Sequence, residues 1–165
     1  MFLSRHSSNI LFLFIFILST SQSFSETISF KGLVISNFWI KQVIANCKTT
    51  SGYIKIENKN EKNERLISVE SNFSKRTELH YMNIKNDIMI MKHLKDGVLI
   101  KSKSKINLKP RSFHIMFIDL TKSFNKTSYQ KVKFNFENAG SIIINMPIIN
   151  KAKISKDKKK NHHHW

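Results

Sequence analysis

The chain predicts an all-β domain, a sandwich or small barrel. Three observations carry that prediction. Apolar and polar residues alternate with a period of two, most cleanly where Val132, Phe134 and Phe136 interleave with Lys133 and Asn135. Runs rich in β-branched and aromatic residues are short and are broken by polar turns such as Lys95-Asp96-Gly97. No helical repeat or internal duplication stands out, and 165 residues suit one domain with an adequate core.

In chain order, the first strand is predicted over 28–40, a stretch dense in Ile, Val, Phe and Trp. The second, over 52–57, alternates through Tyr53, Ile54 and Ile56, and the third, 65–69, follows the polar turn 58–64. Further strands are predicted over 77–82, 88–94, 98–108, 113–120, 130–137 and 141–149. The ends read differently. Arg5 and His6 form a short basic start, 10–18 is an unbroken apolar run, and small residues follow at Ser23 and Ser25, the pattern of an export signal. Nine apolar residues fall short of the roughly 20 that a helix needs to cross a bilayer core. The division expected is therefore a signal peptide over 1–25 cleaved near Ser25, a folded domain over 26–150, and a disordered basic tail over 151–165 ending in His162, His163, His164 and Trp165.

Export to a periplasmic, oxidising space bears on the single cysteine. Cys47 has no partner for a disulfide within the chain, and its bland expectation is a small buried apolar residue rather than a reactive thiol. Without residues 1–25 the chain keeps 27 lysines and arginines against 11 acids, a net charge of +16. Such a field suits acidic protein patches and the proximity of an anionic membrane surface. Lys101, Lys103, Lys105, Lys131 and Lys133 alternate with other residues as the solvated face of half-buried strands does. With neither a recognised module nor an organised patch with aromatic stacking, nucleic acid is not expected as a partner. The sequence leaves the oligomeric state open.

The unusual feature is a cluster of soft donors. Of the five methionines after the export signal, four lie within 80–116 together with three histidines, in the order His80, Met82, Met89, Met91, His93, His114, Met116. Thioether and imidazole donors without a carboxylate or thiolate select monovalent copper over zinc, magnesium or calcium. Residues two apart on a strand face the same way, so His114 and Met116 present nitrogen and sulfur together, and a hairpin between their strands brings His80 toward Met91. A site of His80, Met91, His114 and Met116 would disfavour the cupric ion. Met82 and Met89 are spare sulfurs for hand-over, or simply core or surface residues.

Enzymatic readings fare poorly. A blue-copper centre needs a cysteine beside a late histidine and methionine, and Cys47 lies far upstream of His80 and His114. Thiol–disulfide chemistry needs a second cysteine, and Gly-rich phosphate loops, Gly-x-Ser-x-Gly and His-Glu-x-x-His are absent from the sequence. The chain is therefore expected not to be an enzyme. The competing non-enzymatic reading is a metal-free extracytoplasmic β-sandwich adhesion or assembly module whose methionines fill its core.

The spacing of Glu78-Leu79-His80, ten residues, Met91, twenty-two residues and His114-Ile115-Met116 resembles the metal motif of the periplasmic PCu(A)C copper chaperones, the DUF461 family. Flanking landmarks agree: Trp39, the run Tyr53-Ile54-Lys55-Ile56-Glu57-Asn58, Arg65-Leu66-Ile67 and Leu108-Lys109-Pro110, so that the resemblance spans roughly 28–147. It implies a cupredoxin-like Greek-key β-barrel holding one Cu(I) through His80, Met91, His114 and Met116. It also implies delivery to the binuclear copper centre of cytochrome c oxidase subunit II, alongside Sco-type assembly proteins. Some members carry a Met- and His-rich C-terminal extension for further copper, and His162, His163 and His164 fit that role for Cu(II); a purification tag is the rival origin for them. Departures are Arg111 where members usually have glycine, Lys92-His93-Leu94 in place of Arg-Pro-Val, and no Gly/Pro-rich turn over 98–105.

Overall fold

The computed structural model describes residues 26–43, 47–85, 88–121 and 128–150, and everything described is strand, turn or connecting chain. The expected 1–25 signal and the 151–165 tail, with His162 to His164, lie outside the described residues. Eleven strands form: β1 (Thr27–Phe30), β2 (Leu33–Lys41), β3 (Thr49–Asn58), β4 (Glu64–Ser71), β5 (Ser74–Lys85), β6 (Ile88–His93), β7 (Val98–Ile100), β8 (Lys105–Leu108), β9 (Phe113–Leu120), β10 (Tyr129–Phe136) and β11 (Gly140–Ile149).

Two of the predicted strands are each a pair. The stretch 28–40 folds back on itself at Lys31-Gly32, whose φ values of 46° and 80° belong to the left-handed turns that join twisted antiparallel strands, and β1 then pairs with β2. The stretch 98–108 breaks around Lys103, also left-handed at φ 52°, into β7 and β8. The turn expected at Lys95-Asp96-Gly97 forms. Gly97 sits at φ 72°, its amide donates to Leu94 O at 3.1 Å, and a Cβ there would lie 2.2 Å from Leu66 O, so only glycine fits.

Hydrogen bonding runs unbroken through the order β6-β5-β9-β3-β2-β11-β10-β4-β7, with β1 added to β2 and β8 to β3. β11 closes the structure: 140–147 pair antiparallel with β10, and 148–149 pair parallel with β2. The core between the layers is strand alternation made physical. Leu33, Ile35, Ile54, Ile56, Leu66, Phe73, Leu79, Ile115, Phe117, Val132, Phe134 and Phe136 all turn inward, and the residues between them largely face water. Met146 is fully buried in that core. The lysines expected on solvent faces are there, with Lys101, Lys103, Lys105 and Lys131 exposed. Cys47 departs from expectation, because it is exposed rather than buried: it lies just ahead of β3, outside the alternation that fills the core.

The landmarks flanking the donor motif do structural work. Asn58 is wholly buried at the end of β3, where its amide nitrogen donates to Lys62 O at 2.8 Å and Ile100 O at 3.2 Å, and its Oδ1 accepts from Asn60 N at 3.0 Å. Glu64, 2% exposed at the start of β4, accepts from the amides of Arg65 at 2.8 Å, Asn138 at 3.0 Å and Ala139 at 2.9 Å. Trp39 packs on Tyr53 with ring centroids 4.4 Å apart.

Candidate metal centre

The donors occupy the face of β9, β5 and β6 that looks away from the core. On β9, Ile115 and Phe117 are fully buried, which turns His114 and Met116 the other way; on β5, buried Leu79 does the same for His80 and its neighbours Glu78 and Met82. Cross-strand register then decides which donors meet. β5 sets His80 opposite His114 and Glu78 opposite Met116 on β9, while on its other edge it sets His80 opposite His93 and Met82 opposite Met91 on β6. The three imidazoles therefore stand in one row. The His80 ring lies 5.9 Å from that of His114 and 5.3 Å from that of His93, centroid to centroid. Two imidazoles bound through nitrogen at about 2.0 Å to one ion stand with centroids about 5–6 Å apart.

Each of the two central histidines is anchored through one nitrogen. His114, 5% exposed, hydrogen-bonds Ser112 O through Nδ1 at 2.9 Å, and in the tautomer that donates this hydrogen Nε2 keeps its lone pair. Burial pushes the His114 pKa down, the Ser112 bond opposes that, and His80 lowers it further. The ring is thus neutral near pH 7, the form that ligates. His80 bonds Glu78 Oε2 through Nε2 at 2.8 Å, whereas its Nδ1 is buried with no partner. With Nε2–H donated to the carboxylate, the orphaned atom is a lone pair with nothing to accept. A carboxylate fixing one imidazole nitrogen so that the other meets a metal is a recurrent arrangement. The His80 bond is the largest cause holding the Glu78 carboxyl below the usual range; its partial burial opposes this, and nearby positive charge, including Arg76 at 3.3 Å, adds to it.

The sulfurs flank this row. Met116 Sδ accepts from Ser51 Oγ at 3.5 Å, and Met116, His114, Met82, Met89 and Met91 line a single open cavity of about 360 Å³ closed by Tyr53, Pro110 and Arg111. Of the four residues expected to converge, His80 and His114 face each other directly, and Met91, Met116 and His114 share the cavity wall. His80 sits beside that wall and does not line it. Met91 lies one diagonal step from His80, the residue directly opposite His80 being His93. Among the described residues no three His, Cys, Asp or Glu side chains form a group that could hold a metal by themselves, and the thioethers of the cavity wall are the further donors beside them.

Two participants carried no expected role. Glu78 orients His80, and His93 stacks on it with its Nδ1 4.0 Å from Glu78 Oε2. Glu78 was legible in principle, since it precedes His80 by two on the same strand face; the pairing of His93 depends on the β5–β6 register. Arg111 has a backbone φ of 64°, the left-handed region that favours glycine, which accounts for the glycine usual there.

Residues 33–148 match the family described as "Putative lipoprotein LpqE-like". The chain belongs to the LpqE-like family. No curated protein matches this LpqE-like chain at a significant level. Among solved structures it is similar to the "Copper-bound PCuAC domain from PmoF2", at 17% identity and a TM-score of 0.65 over 76% of this chain and 98% of that one. The "Apo PCuAC domain from PmoF1" matches at 21% identity and a TM-score of 0.64 over 76% and 99%. The solution structure of "CuI-DR1885 from Deinococcus Radiodurans" matches at 11% identity and a TM-score of 0.58 over 78% and 84%. The all-β, cupredoxin-like fold expected from the PCu(A)C resemblance is thereby established for this LpqE-like chain.

Proposed function

We propose that the protein is a periplasmic copper chaperone that binds one Cu(I) through His80, Met91, His114 and Met116. It would pass the ion to the binuclear centre of cytochrome c oxidase subunit II in company with Sco-type proteins. The observation that carries the reading is the buried, unpartnered Nδ1 of His80, set beside His114 on the neighbouring strand and beside a cavity walled by thioethers. Two imidazoles and two thioethers suit the reduced ion. The fold shared with PCuAC domains, one of them described as copper-bound, supports the same reading. An extracytoplasmic location accords with the lipoprotein family and with the export pattern of 1–25. A carrier rather than an enzyme follows, because thioethers that a receiving thiolate displaces one at a time permit release. The tail His162, His163 and His164 is proposed to take Cu(II).

The rival, a metal-free sandwich module, needs its methionines in the core. Met146 is there, but Met89 and Met91 are 61% and 48% exposed, and Met82 and Met116 are only partly buried. Cuprous titration against a chromophoric competitor tests the reading. One ion per domain is expected, with most of the affinity lost in Met91→Ala/Met116→Ala, and unaltered affinity in that variant would return the protein to the rival class. The +16 charge is proposed to steer the carrier to an acidic receiving surface, for which association should slow as salt rises.

A further inference from the structure

Met82 and Met89 are the donors that the four-residue site leaves unused. Met82 faces Met91 directly across the β5–β6 pair, and opposite side chains on one sheet face have Cβ atoms about 5 Å apart. Met89 lies two residues before Met91 on the same face of β6, and all three line the cavity that also holds Met116 and His114. Burial does not explain the thioethers of β6. β6 is exposed along its whole length, and an edge strand in water has no packing reason to place two flexible thioethers on the face shared with the imidazoles.

We propose that Met82, Met89 and Met91 form a second, all-thioether position for a cuprous ion on the solvent side of this cavity. Three sulfurs each about 2.3 Å from a metal stand about 4 Å from one another, within the reach of three unbranched side chains whose backbones are adjacent. Soft neutral donors alone hold copper in its reduced form, so no change of oxidation state accompanies the move between positions. Met91 belongs to both sets. An ion exchanging His80, His114 and Met116 for Met82 and Met89 therefore stays bound at every stage while it advances toward the exposed hairpin. This outer position rests on the cuprous reading above through Met91, but not on either imidazole.

The test follows methionine methyl signals by NMR, in a chain carrying ¹³C-methyl methionine and the tail changes His162→Ala, His163→Ala and His164→Ala, as Cu(I) is added. The Met82 and Met89 methyls are expected to shift along with those of Met91 and Met116. Movement of Met116 without Met82 or Met89 overturns the outer position alone; movement of Met82 and Met89 without Met116 overturns the four-donor site and leaves the outer position standing. In the same background, His80→Ala/His114→Ala is expected to retain one cuprous ion with sulfur-only neighbours in X-ray absorption, and Met82→Leu/Met89→Leu added to it should abolish that signal. Nitrogen neighbours, or retention despite the two leucines, would refute the outer position.

Discussion

Glu64 and Glu78 are both strand glutamates held below the ordinary carboxylate range, and what surrounds them differs. At Glu64 burial raises the carboxyl, yet the amides of Asn138, Arg65 and Ala139 together outweigh it, and every partner is satisfied within the fold. At Glu78 the leading cause is the His80 bond, and that bond leaves the far nitrogen of the ring buried and unmatched. A closed polar cluster holds a fold together; a cluster that leaves a buried nitrogen unmatched is a candidate for binding. The two glutamates thus mark a self-satisfied polar cluster and the candidate site of one domain.

The contrast breaks most sharply on stability. Glu64→Ala strands three amides, each worth about 1–3 kcal/mol when buried unpaired, so chemical denaturation should register a loss of about 3 kcal/mol or more with cuprous affinity per folded molecule unchanged. Glu78→Gln should do the reverse, lowering copper affinity about 10- to 100-fold in competition titrations while the unfolding midpoint hardly moves. If the two variants exchanged phenotypes, the division would be wrong.

Acid sharpens the same contrast. Both carboxyls are depressed in the folded state, so their stabilisation is present above the unfolded glutamate value of about 4.3 and is lost as pH falls through the lower folded values. Stability should begin to fall below about pH 6.5, where His114 takes up a proton more readily in the unfolded chain than in the fold, and fall further below the glutamate value, where Glu64→Gln should flatten the acid limb more than Glu78→Gln because Glu64 is the more deeply enclosed. The smallest effect belongs to the cavity rim. Arg111→Gly relieves a left-handed residue at some cost in unfolded-state entropy, for a net gain of up to about 1 kcal/mol by thermal melt.

Much of the molecule was legible in the chain. Alternation placed Val132, Phe134 and Phe136 inside and the lysines outside, because a half-buried strand leaves no other option for those residues. The breaks at Lys31-Gly32 and Lys103 were not legible, since left-handed turns that short are set by pairing partners rather than by composition. The same limit applied at the donors. Same-strand spacing gave His114 with Met116, but opposing His80 to His93 rather than to Met91 is a matter of register, which only the hairpin fixes. Cys47 was misplaced by its residue type, whose usual burial counts for nothing outside a strand.

Among the described residues β6 hydrogen-bonds to β5 alone and forms the outer margin of the sheet. A margin held on one side frays, and its amides exchange with solvent sooner than those of β9, which lies between two strands. A cation gripping Met91 together with His114 would lash that margin to the interior, converting occupancy into rigidity. Deuterium uptake along 88–93 would then distinguish a laden carrier from an empty one, and a recipient protein could sense the difference by touch.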